Sequence, residues 1–230
     1  MIRITLILSL LACMSFSQID YKQFALNDFD EIVNAFSSNR SYHLSYSYER
    51  FYENELVQSS KGENLRYNNF YFTAFDSAIN LSTNTRDLVV DFGEKVMTYK
   101  YGYEVEAFDR RMAKMLDNIK GTIENAVEVS YAEIDLERGM YTLLVTQGNT
   151  WKVEYEVNKV HHSLDKAHFF NYYPEEDLNE QVVITYSKKP GKPRLKDKRY
   201  DFAHYLEVGG KNVKVSKQFS DYQLQSLRIR

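Results

Sequence analysis

The sequence predicts an α+β fold: a single large curved antiparallel sheet, forming an incomplete β-barrel, with an N-terminal helix and a mid-chain helix on its concave face. Two segments have the apolar periodicity of helices, and about a dozen alternate like strands. The chain holds 19 Tyr and 14 Phe but only 9 Gly and 3 Pro, which favours strands over disorder. Strands joined at short intervals indicate an antiparallel meander.

The first residues have the order of a secretory signal peptide. Arg3 precedes an apolar run that ends at Met14, and Phe16 lies between two serines at a small-x-small cleavage site. The run is too short for a bilayer, which takes about 20 apolar residues. We therefore expect residues 1–17 to be removed, residues 18–230 to form one domain, and the protein to be exported to the periplasm.

Cys13 allows a second interpretation of the same segment. The letters LLAC before and at Cys13 resemble a lipobox, in which the cysteine would carry lipid. Leu11 is a poor residue two positions before such a cysteine, so plain secretion is favoured. Cys13 is the only cysteine, so the mature chain would have no disulfide and would be stabilised by burial alone. The formal net charge of −3 argues against nucleic-acid binding.

Helical periodicity first appears in Asn27–Ser38, where Phe29, Ile32, Val33 and Phe36 share one face. Asn27 is the expected N-cap. Strand-like segments follow, and the expected ranges are Tyr42–Tyr52, Leu56–Glu63, Leu65–Phe75, Ser77–Thr83, Asp87–Phe92 and Lys95–Tyr101.

The period changes again in Asp109–Ala126, which predicts the mid-chain helix with Asp109 as N-cap. Its apolar stripe consists of Met112, Met115, Leu116, Ile119 and Ile123. Strands then resume, and the expected ranges are Val127–Asp135, Gly139–Gln147, Thr150–Asn158, Ala167–Tyr173, Glu180–Ser187, Asp201–Val208, Asn212–Phe219 and Tyr222–Ile229. Gly209–Lys211 is a hairpin turn signal.

This order of elements resembles that of the periplasmic lipoprotein carriers, the LolA-like proteins. The most specific local match is VVDFGEKVMTYKY (Val89–Tyr101), and NELVQSSKGENLRYNNFYF (Asn54–Phe72) is similar to the family's strand that gives way to a basic and aromatic one. The family's buried arginine has no clear counterpart in this sequence, and Arg66 is only a weak candidate. The signal segment, with Gln18 after a small-x-Ser site, is similar to those of secreted Bacteroidetes proteins. The resemblance implies a half-barrel that binds acyl chains.

The first strand after the N-terminal helix reads SYHLSYSYERFY, and its even positions are mostly tyrosine. Successive strand residues alternate faces, so these tyrosines point together toward the helices. An aromatic lining with hydroxyls suits an amphipathic ligand. The residues expected to line the apolar site are Tyr42, Leu44, Tyr46, Tyr48, Phe70, Phe72, Val89, Met97, Tyr99, Met112, Met115 and Leu116. Ordinary core packing is the alternative for the same set.

Three charged segments are candidates for binding or metal chemistry. The segment from Lys188 to Arg199 predicts a basic surface loop that could meet anionic lipid or an acidic partner, or simply be solvated; its basic residues are Lys188, Lys189, Lys192, Arg194, Lys196, Lys198 and Arg199. His161, His162 and His168 lack the spacing of a zinc site. The acidic Pro174–Glu180 lacks the glycine of a calcium loop.

The sequence therefore predicts a non-enzymatic envelope protein. It has no Gly-x-Ser-x-Gly, no His-Glu-x-x-His and no phosphate-binding glycine loop, and no cofactor or metal is expected. The expected ligand is a lipid or the acyl chains of a lipoprotein, held between the sheet and the helices. The alternative is a structural or adaptor subunit of an envelope or secretion assembly with a filled interior, whose basic loop and strand edges contact an envelope protein or an anionic membrane surface.

Overall fold

The structure is a computed structural model that describes residues 20–38, 41–102, 117–188, 195–209 and 212–229. The signal segment, with its Bacteroidetes-like site, lies outside these residues. The helices are α1 (Tyr21–Ser38), the helical segment 117–124, here α2, and α3 (Phe202–Tyr205). The strands are β1 (Ser41–Tyr52), β2 (Glu55–Tyr67), β3 (Phe70–Phe75), β4 (Ala78–Ser82), β5 (Arg86–Asp91), β6 (Val96–Gly102), β7 (Glu128–Glu133), β8 (Arg138–Gln147), β9 (Thr150–Asn158), β10 (Ser163–Tyr173), β11 (Leu178–Lys188), β12 (Leu206–Gly209), β13 (Asn212–Val215) and β14 (Gln223–Ile229).

The predicted fold class is confirmed. Twelve strands form one curved, unclosed sheet in the order β14-β6-β5-β4-β3-β2-β1-β11-β10-β9-β8-β7. Two meanders, β1 to β6 and β7 to β11, join where β1 pairs antiparallel with β11. One pairing departs from the expected pattern, because β14 runs parallel to β6. A parallel neighbour needs a long crossover, and residues between β6 and β14 supply it.

Helix α1 begins earlier than its apolar periodicity predicted. Asp20 caps it, since its side-chain oxygen Oδ1 accepts from the backbone N–H groups of Lys22 and Gln23 at 3.1 Å each. The predicted N-cap, Asn27, lies inside the helix and accepts from the Gln23 side chain at 2.9 Å. The N-cap prediction was therefore wrong: the first two turns are mostly polar or exposed, so they lack the apolar signal that marked the rest.

Residues with a left-handed backbone conformation occur in several of the turns between strands. Glu53 and Asn54 both have positive φ between β1 and β2, as expected of a two-residue primed turn. The segment Leu65–Phe75, predicted as one strand, is divided between β2 and β3 by a turn at Asn68, where φ is 52°. Asparagine tolerates this conformation better than other residues, which is why the strand breaks there.

The helix-bearing side of the sheet, here the inner face, carries one hydrophobic core. Ala25, Phe29 and Ile32 of α1 pack on β8, β9 and β10, and the Phe29 ring meets the Tyr155 ring edge-on at 5.2 Å. Ile123 of α2 joins the same core, as its predicted stripe required. The two helices are further linked by an ion pair between Lys120 and Asp30 at 2.6 Å.

The opposite side, here the outer face, carries a second core over β2 to β6. Its cover is the C-terminal segment 195–224, which includes α3, the β12–β13 hairpin and two 3₁₀ turns. Tyr205 and Leu206 are buried there, and the Tyr200 ring lies 4.7 Å from that of Phe72. The Tyr200 hydroxyl also donates to Glu63 Oε1 at 3.1 Å.

Two strand predictions failed in this C-terminal segment. Asp201–Val208 was expected to be a strand, but its first half is α3, capped by Asp201. Asn212–Phe219 was likewise expected to be a strand, but after Val215 it turns into a 3₁₀ helix. Both segments were expected to extend the large sheet, and instead they form a small two-stranded sheet, β12–β13, that packs on the outer face. The turn signal between them was correct.

Within the residues that the structure covers, no helix combines the length and the apolar character needed to cross a membrane.

Candidate functional site

The tyrosines of β1 lie on the inner face, the same side as α1. Directly opposite residues of antiparallel strands share a face, and Tyr46 pairs with Tyr186 while Tyr48 pairs with Ile184. Ile184 in turn pairs with Ala167, and Ala167 with the core residue Tyr155. The pairing register thus connects the tyrosine row of β1 to the core beneath α1.

Four aromatic rings of this row and its neighbours form a half-buried surface, which we call the tyrosine floor: Tyr46, Tyr48, Phe75 and Tyr186. The Tyr46 ring stacks on Phe75 at 5.9 Å between centroids and lies 6.3 Å from the Tyr186 ring. Tyr48 meets Phe75 edge-on at 6.0 Å. Tyr186 packs against the core beneath α1. Tyr46, Tyr48 and Phe75 belong to neither core in the described part of the chain, and Phe75 is 36% exposed, so this part of the floor is open.

Gly62 of β2 allows the Tyr46 ring to lie flat on the sheet. It pairs directly with Tyr46, and a Cβ added there would lie 2.6 Å from Tyr46 Cε1. That is well inside the ordinary contact distance of about 3.5–4 Å. The glycine therefore positions the ring, rather than relaxing the backbone.

Two tyrosines of the floor, Tyr46 and Tyr186, are uncharged at neutral pH. Burial raises the pKa of the Tyr46 hydroxyl, and Asp76 adds to the shift. Burial also raises the pKa of Tyr186 to about 12, with a smaller contribution from Tyr46. Both phenols stay protonated, so the floor offers apolar ring faces with hydroxyls that can donate or accept a hydrogen bond.

Tyr42 and Leu44, at the start of the same row, are packed differently. Tyr42 is buried with Tyr71 of β3, and Leu44 packs against this pair. The predicted lining residues of β1 therefore divide into a closed part at Tyr42 and an open part at Tyr46 and Tyr48.

A buried carboxylate marks the other end of the row. Glu180 of β11 accepts from Arg50 Nε, from Asn171 Nδ2 at 2.7 Å and from the Tyr173 hydroxyl at 2.9 Å. Burial by itself would raise the Glu180 pKa, but the hydrogen bonds from Asn171, Arg50 and Tyr173 outweigh it and lower the pKa. Arg50 thus ends the aromatic row as one member of a fixed ion pair.

The structure does not bring all the predicted lining residues together. Val89 lies on the inner face, because it pairs with Asn80, which pairs with Thr73. Four others, Phe70, Phe72, Met97 and Tyr99, belong to the core on the outer face beneath the C-terminal segment. From the sequence alone, the aromatic residues of every strand are assigned to the inner face, whereas the register places these four residues of β3 and β6 on the outer face. The one-face interpretation of these four was wrong.

The remaining members of the predicted sites fall outside the described residues or find other partners. Met112, Met115 and Leu116 lie outside them, as do Lys189, Lys192 and Arg194, while the side chain of Lys188 is not described. Lys196 and Lys198 are exposed. Arg199 was expected in a free loop, but it contacts Asp197 at 2.8 Å and Glu63 at 3.4 Å and anchors the C-terminal segment.

The three histidines point to different partners. His161 lies in an exposed turn, His162 Nδ1 is 2.9 Å from Glu31 of α1, and His168 is held on the outer face by Gln181 at 3.0 Å. Burial lowers the pKa of His168. Throughout the described part of the chain, no three His, Cys, Asp or Glu residues converge in a way that could hold a metal ion.

A polar groove on the outer face was not predicted. It has a volume of about 870 Å³ and lies across β1, β11, β10, β9 and β8. Hydroxyl and charged side chains line it, including His43, Arg138, Glu156 and Lys166. Two of the charges are already paired with each other, since Arg138 lies 2.8 Å from Glu156. In the sequence these polar residues alternate with core residues, and this pattern does not indicate that they line one groove.

Comparison with known proteins gives only distant structural likenesses. No family model matches the chain, and no curated protein matches its sequence. An uncharacterized conserved protein from Thermus thermophilus aligns at 9% identity over 86% of this chain and 98% of its own, with a TM-score of 0.42. A chain of the Pseudomonas aeruginosa MucA/MucB complex aligns at 10% identity and a TM-score of 0.42, over 84% of this chain and 63% of its own. A LolA superfamily protein from Nitrosomonas europaea aligns at 11% identity over 74% of this chain and 94% of its own, with a TM-score of 0.31.

Proposed function

We propose that this protein is a non-enzymatic carrier or binder of an apolar or acylated ligand in the cell envelope. The ligand would be a lipid or the acyl chains of a lipoprotein, and it would lie on the tyrosine floor beside α1. The observation that carries the proposal is the half-buried state of Tyr46, Tyr48, Phe75 and Tyr186 next to a fully closed core.

The chemistry of the floor favours an amphipathic ligand. Each aromatic side chain of the floor buries a large apolar area when a ligand covers it. The hydroxyls of the tyrosines offer hydrogen bonds at the edge of this apolar surface. Concave apolar surfaces with a few polar groups are typical of small-molecule sites. No nucleic-acid partner is proposed, since the chain is slightly acidic.

Location in the periplasm is part of the proposal. It rests on the signal-like order of residues 1–17, with secretion favoured over a lipid anchor at Cys13. Mass spectrometry of the protein recovered from an expressing bacterium would identify the cleavage site. A mature N-terminus at Gln18 is expected, and a lipidated Cys13 would contradict it.

The binding proposal is tested by titrating the purified, delipidated protein with a fluorescent fatty acid, dansylundecanoic acid. Tyr48→Ala removes one half-buried ring of the floor and should weaken binding by about tenfold, corresponding to about 1.4 kcal/mol. The matched control is Tyr172→Ala, since Tyr172 is a ring, 39% exposed, that lies on β10, outside the floor, and donates to Asp177. Failure of the native protein to bind the probe, or equal losses in both variants, would refute the proposal.

An adaptor subunit is the second candidate, and the edges of the sheet that the described strands form favour it. The edge strand β7 is flanked by Val127, which is 72% exposed, and Leu136, which is 96% exposed. Unpaired strand edges can add a strand from a partner. The same titration separates the candidates, because an adaptor with a filled interior would neither retain lipid after purification nor bind the probe.

A further inference from the structure

A polar zone adjoins the tyrosine floor on the inner face of β2 to β5. The register places Arg66 opposite Tyr71, Tyr71 opposite Ser82, and Ser82 opposite Asp87, so one residue of each strand contributes to a single cross-strand row. Asn80 lies two residues from Ser82 on the same face of β4. We call these five residues the polar zone. It adjoins the tyrosine floor at Asn80, because Ala78, two residues away on the same face of β4, pairs with Phe75.

Two oxygen atoms of the polar zone are buried without a hydrogen-bond partner. They are Ser82 Oγ and Asn80 Oδ1, and Ser82 as a whole is only 2% exposed. Neither atom finds a donor or acceptor in the structure as described. Native proteins rarely leave such groups unsatisfied, and a persistent exception calls for an occupant that supplies the missing bonds. The two residues project from one face of one strand, about 6.6 Å apart along it.

The hydrogen-bonding capacity of the polar zone determines which kind of ligand headgroup it can bind. Asn80 Oδ1 needs a donor, while the Ser82 hydroxyl can donate and accept. The zone contains one basic and one acidic residue, Arg66 and Asp87, whose formal charges have opposite signs, so charge by itself selects no headgroup. A bare carboxylate or phosphate headgroup only accepts, so it would leave Asn80 unsatisfied. A hydroxylated headgroup both donates and accepts.

We therefore propose that the ligand is an amphiphile with a hydroxyl-bearing headgroup, such as a glycerol or sugar, which binds at Ser82 and Asn80 while its alkyl chain lies on the tyrosine floor. This inference rests on the proposed function and specifies its ligand class. The separation of the two zones fits it. Strands β4 and β1 are three strand spacings apart, about 14 Å, so headgroup and chain occupy different strands of one continuous face.

The test compares decyl glucoside with decanoate, which carry alkyl chains of similar length and differ in the headgroup. Each is titrated into the native protein in competition with dansylundecanoic acid. We expect decyl glucoside to bind about tenfold more tightly than decanoate. Ser82→Ala and Asn80→Ala should each remove most of that preference and leave decanoate binding within about twofold of native.

Ser216→Ala is the matched control. Ser216 is also a buried serine, but its hydroxyl donates to the His204 carbonyl at 2.7 Å in the C-terminal segment. It should lose thermal stability and keep the headgroup preference, whereas Ser82→Ala should keep its melting temperature, because no hydrogen bond is removed.

The possible outcomes distinguish failure of the headgroup inference from failure of the proposed function. If the probe binds but both competitors displace it equally, the floor binds ligand and the headgroup inference is overturned; ordered water at Ser82 and Asn80 would give this result. If the Ser82→Ala and Asn80→Ala variants lose both competitors alike, the headgroup inference is also overturned. If neither the probe nor decyl glucoside binds, the proposed function and the inference fall together.

Discussion

Replacing Gly62 by alanine tests how the tyrosine floor is built. The added Cβ would lie 2.6 Å from Tyr46 Cε1 and closer still to Cζ and the hydroxyl oxygen, so the ring must move by about 1.4 Å to reach ordinary contact distance. Overpacking of this kind costs about 1–3 kcal/mol. Gly62 does not have a positive φ, so alanine also stabilises by about 0.4–1 kcal/mol through the unfolded chain. We expect a net loss of about 1–2 kcal/mol in the free energy of unfolding, measured in urea.

The displaced ring should also change ligand binding. Tyr46 stacks on Phe75 at 5.9 Å, and a tilted ring would break the flat surface on which the chain of the ligand is proposed to lie. Gly139→Ala is the matched control, because a Cβ there would lie 2.6 Å from Tyr131 Cζ, in the same kind of arrangement at the far end of the sheet. Both variants should lose similar stability, and only Gly62→Ala should weaken the binding of dansylundecanoic acid.

A double-mutant cycle gives the decisive comparison. In a Tyr46→Ala background the ring is gone, so Gly62→Ala should become neutral or stabilising, with a coupling of about 1–3 kcal/mol. If Gly62→Ala is equally harmful with and without the Tyr46 ring, the ring is not the cause and the account of the floor is refuted.

Three further predictions concern the helix and the buried carboxylate. Tyr141→Phe removes the hydroxyl that donates to Asp28 of α1 at 2.6 Å and should cost about 1.5–3 kcal/mol in urea unfolding, and no change would contradict this. Asp20→Ala removes the cap of α1 and should cost about 0.5–2 kcal/mol, whereas Asp20→Asn should retain most of the stability. The hydrogen bonds that lower the Glu180 pKa stabilise the fold above the unfolded carboxyl pKa of about 4.3. Their contribution is lost as the pH falls through the lower pKa of the folded protein. The difference in stability between native and Glu180→Gln protein should therefore be largest at neutral pH and decrease below about pH 4. A difference that does not vary with pH would contradict the assignment.

Periodicity in the sequence correctly indicated elements but not which face each strand presents. The alternation of β1 places Tyr46 and Tyr48 on the same face, because a strand without a bulge keeps its period of two, and the register makes this the inner face. Phe72 and Met97 belong to strands with equally clear alternation, yet they face outward. The turns and the register between strands decide this parity, and a shift of one residue moves a whole strand's side chains to the other face.

The C-terminal segment is the main feature that the sequence did not reveal. Its cover of the outer face depends on contacts between Tyr200 and Phe72, which are far apart along the chain. The two halves of the sheet carry their cores on opposite faces, so apolar residues are needed on both faces. From the sequence alone, all the aromatic strand residues are instead assigned to a single face. The orphan oxygen atoms of Ser82 and Asn80 were likewise invisible, because burial depends on neighbours that periodicity does not identify.

The pairing of β1 with β11 affects how the chain folds. Tyr46 pairs with Tyr186, so the middle of the sheet is closed by residues far apart in the chain. The β1–β6 meander can form from local hairpins, but one edge of β1 stays without a partner until β11 has been synthesised. Such non-local pairing slows folding and leaves an aromatic strand edge exposed meanwhile. For a chain delivered N-terminus first, that interval is when protection from aggregation matters most.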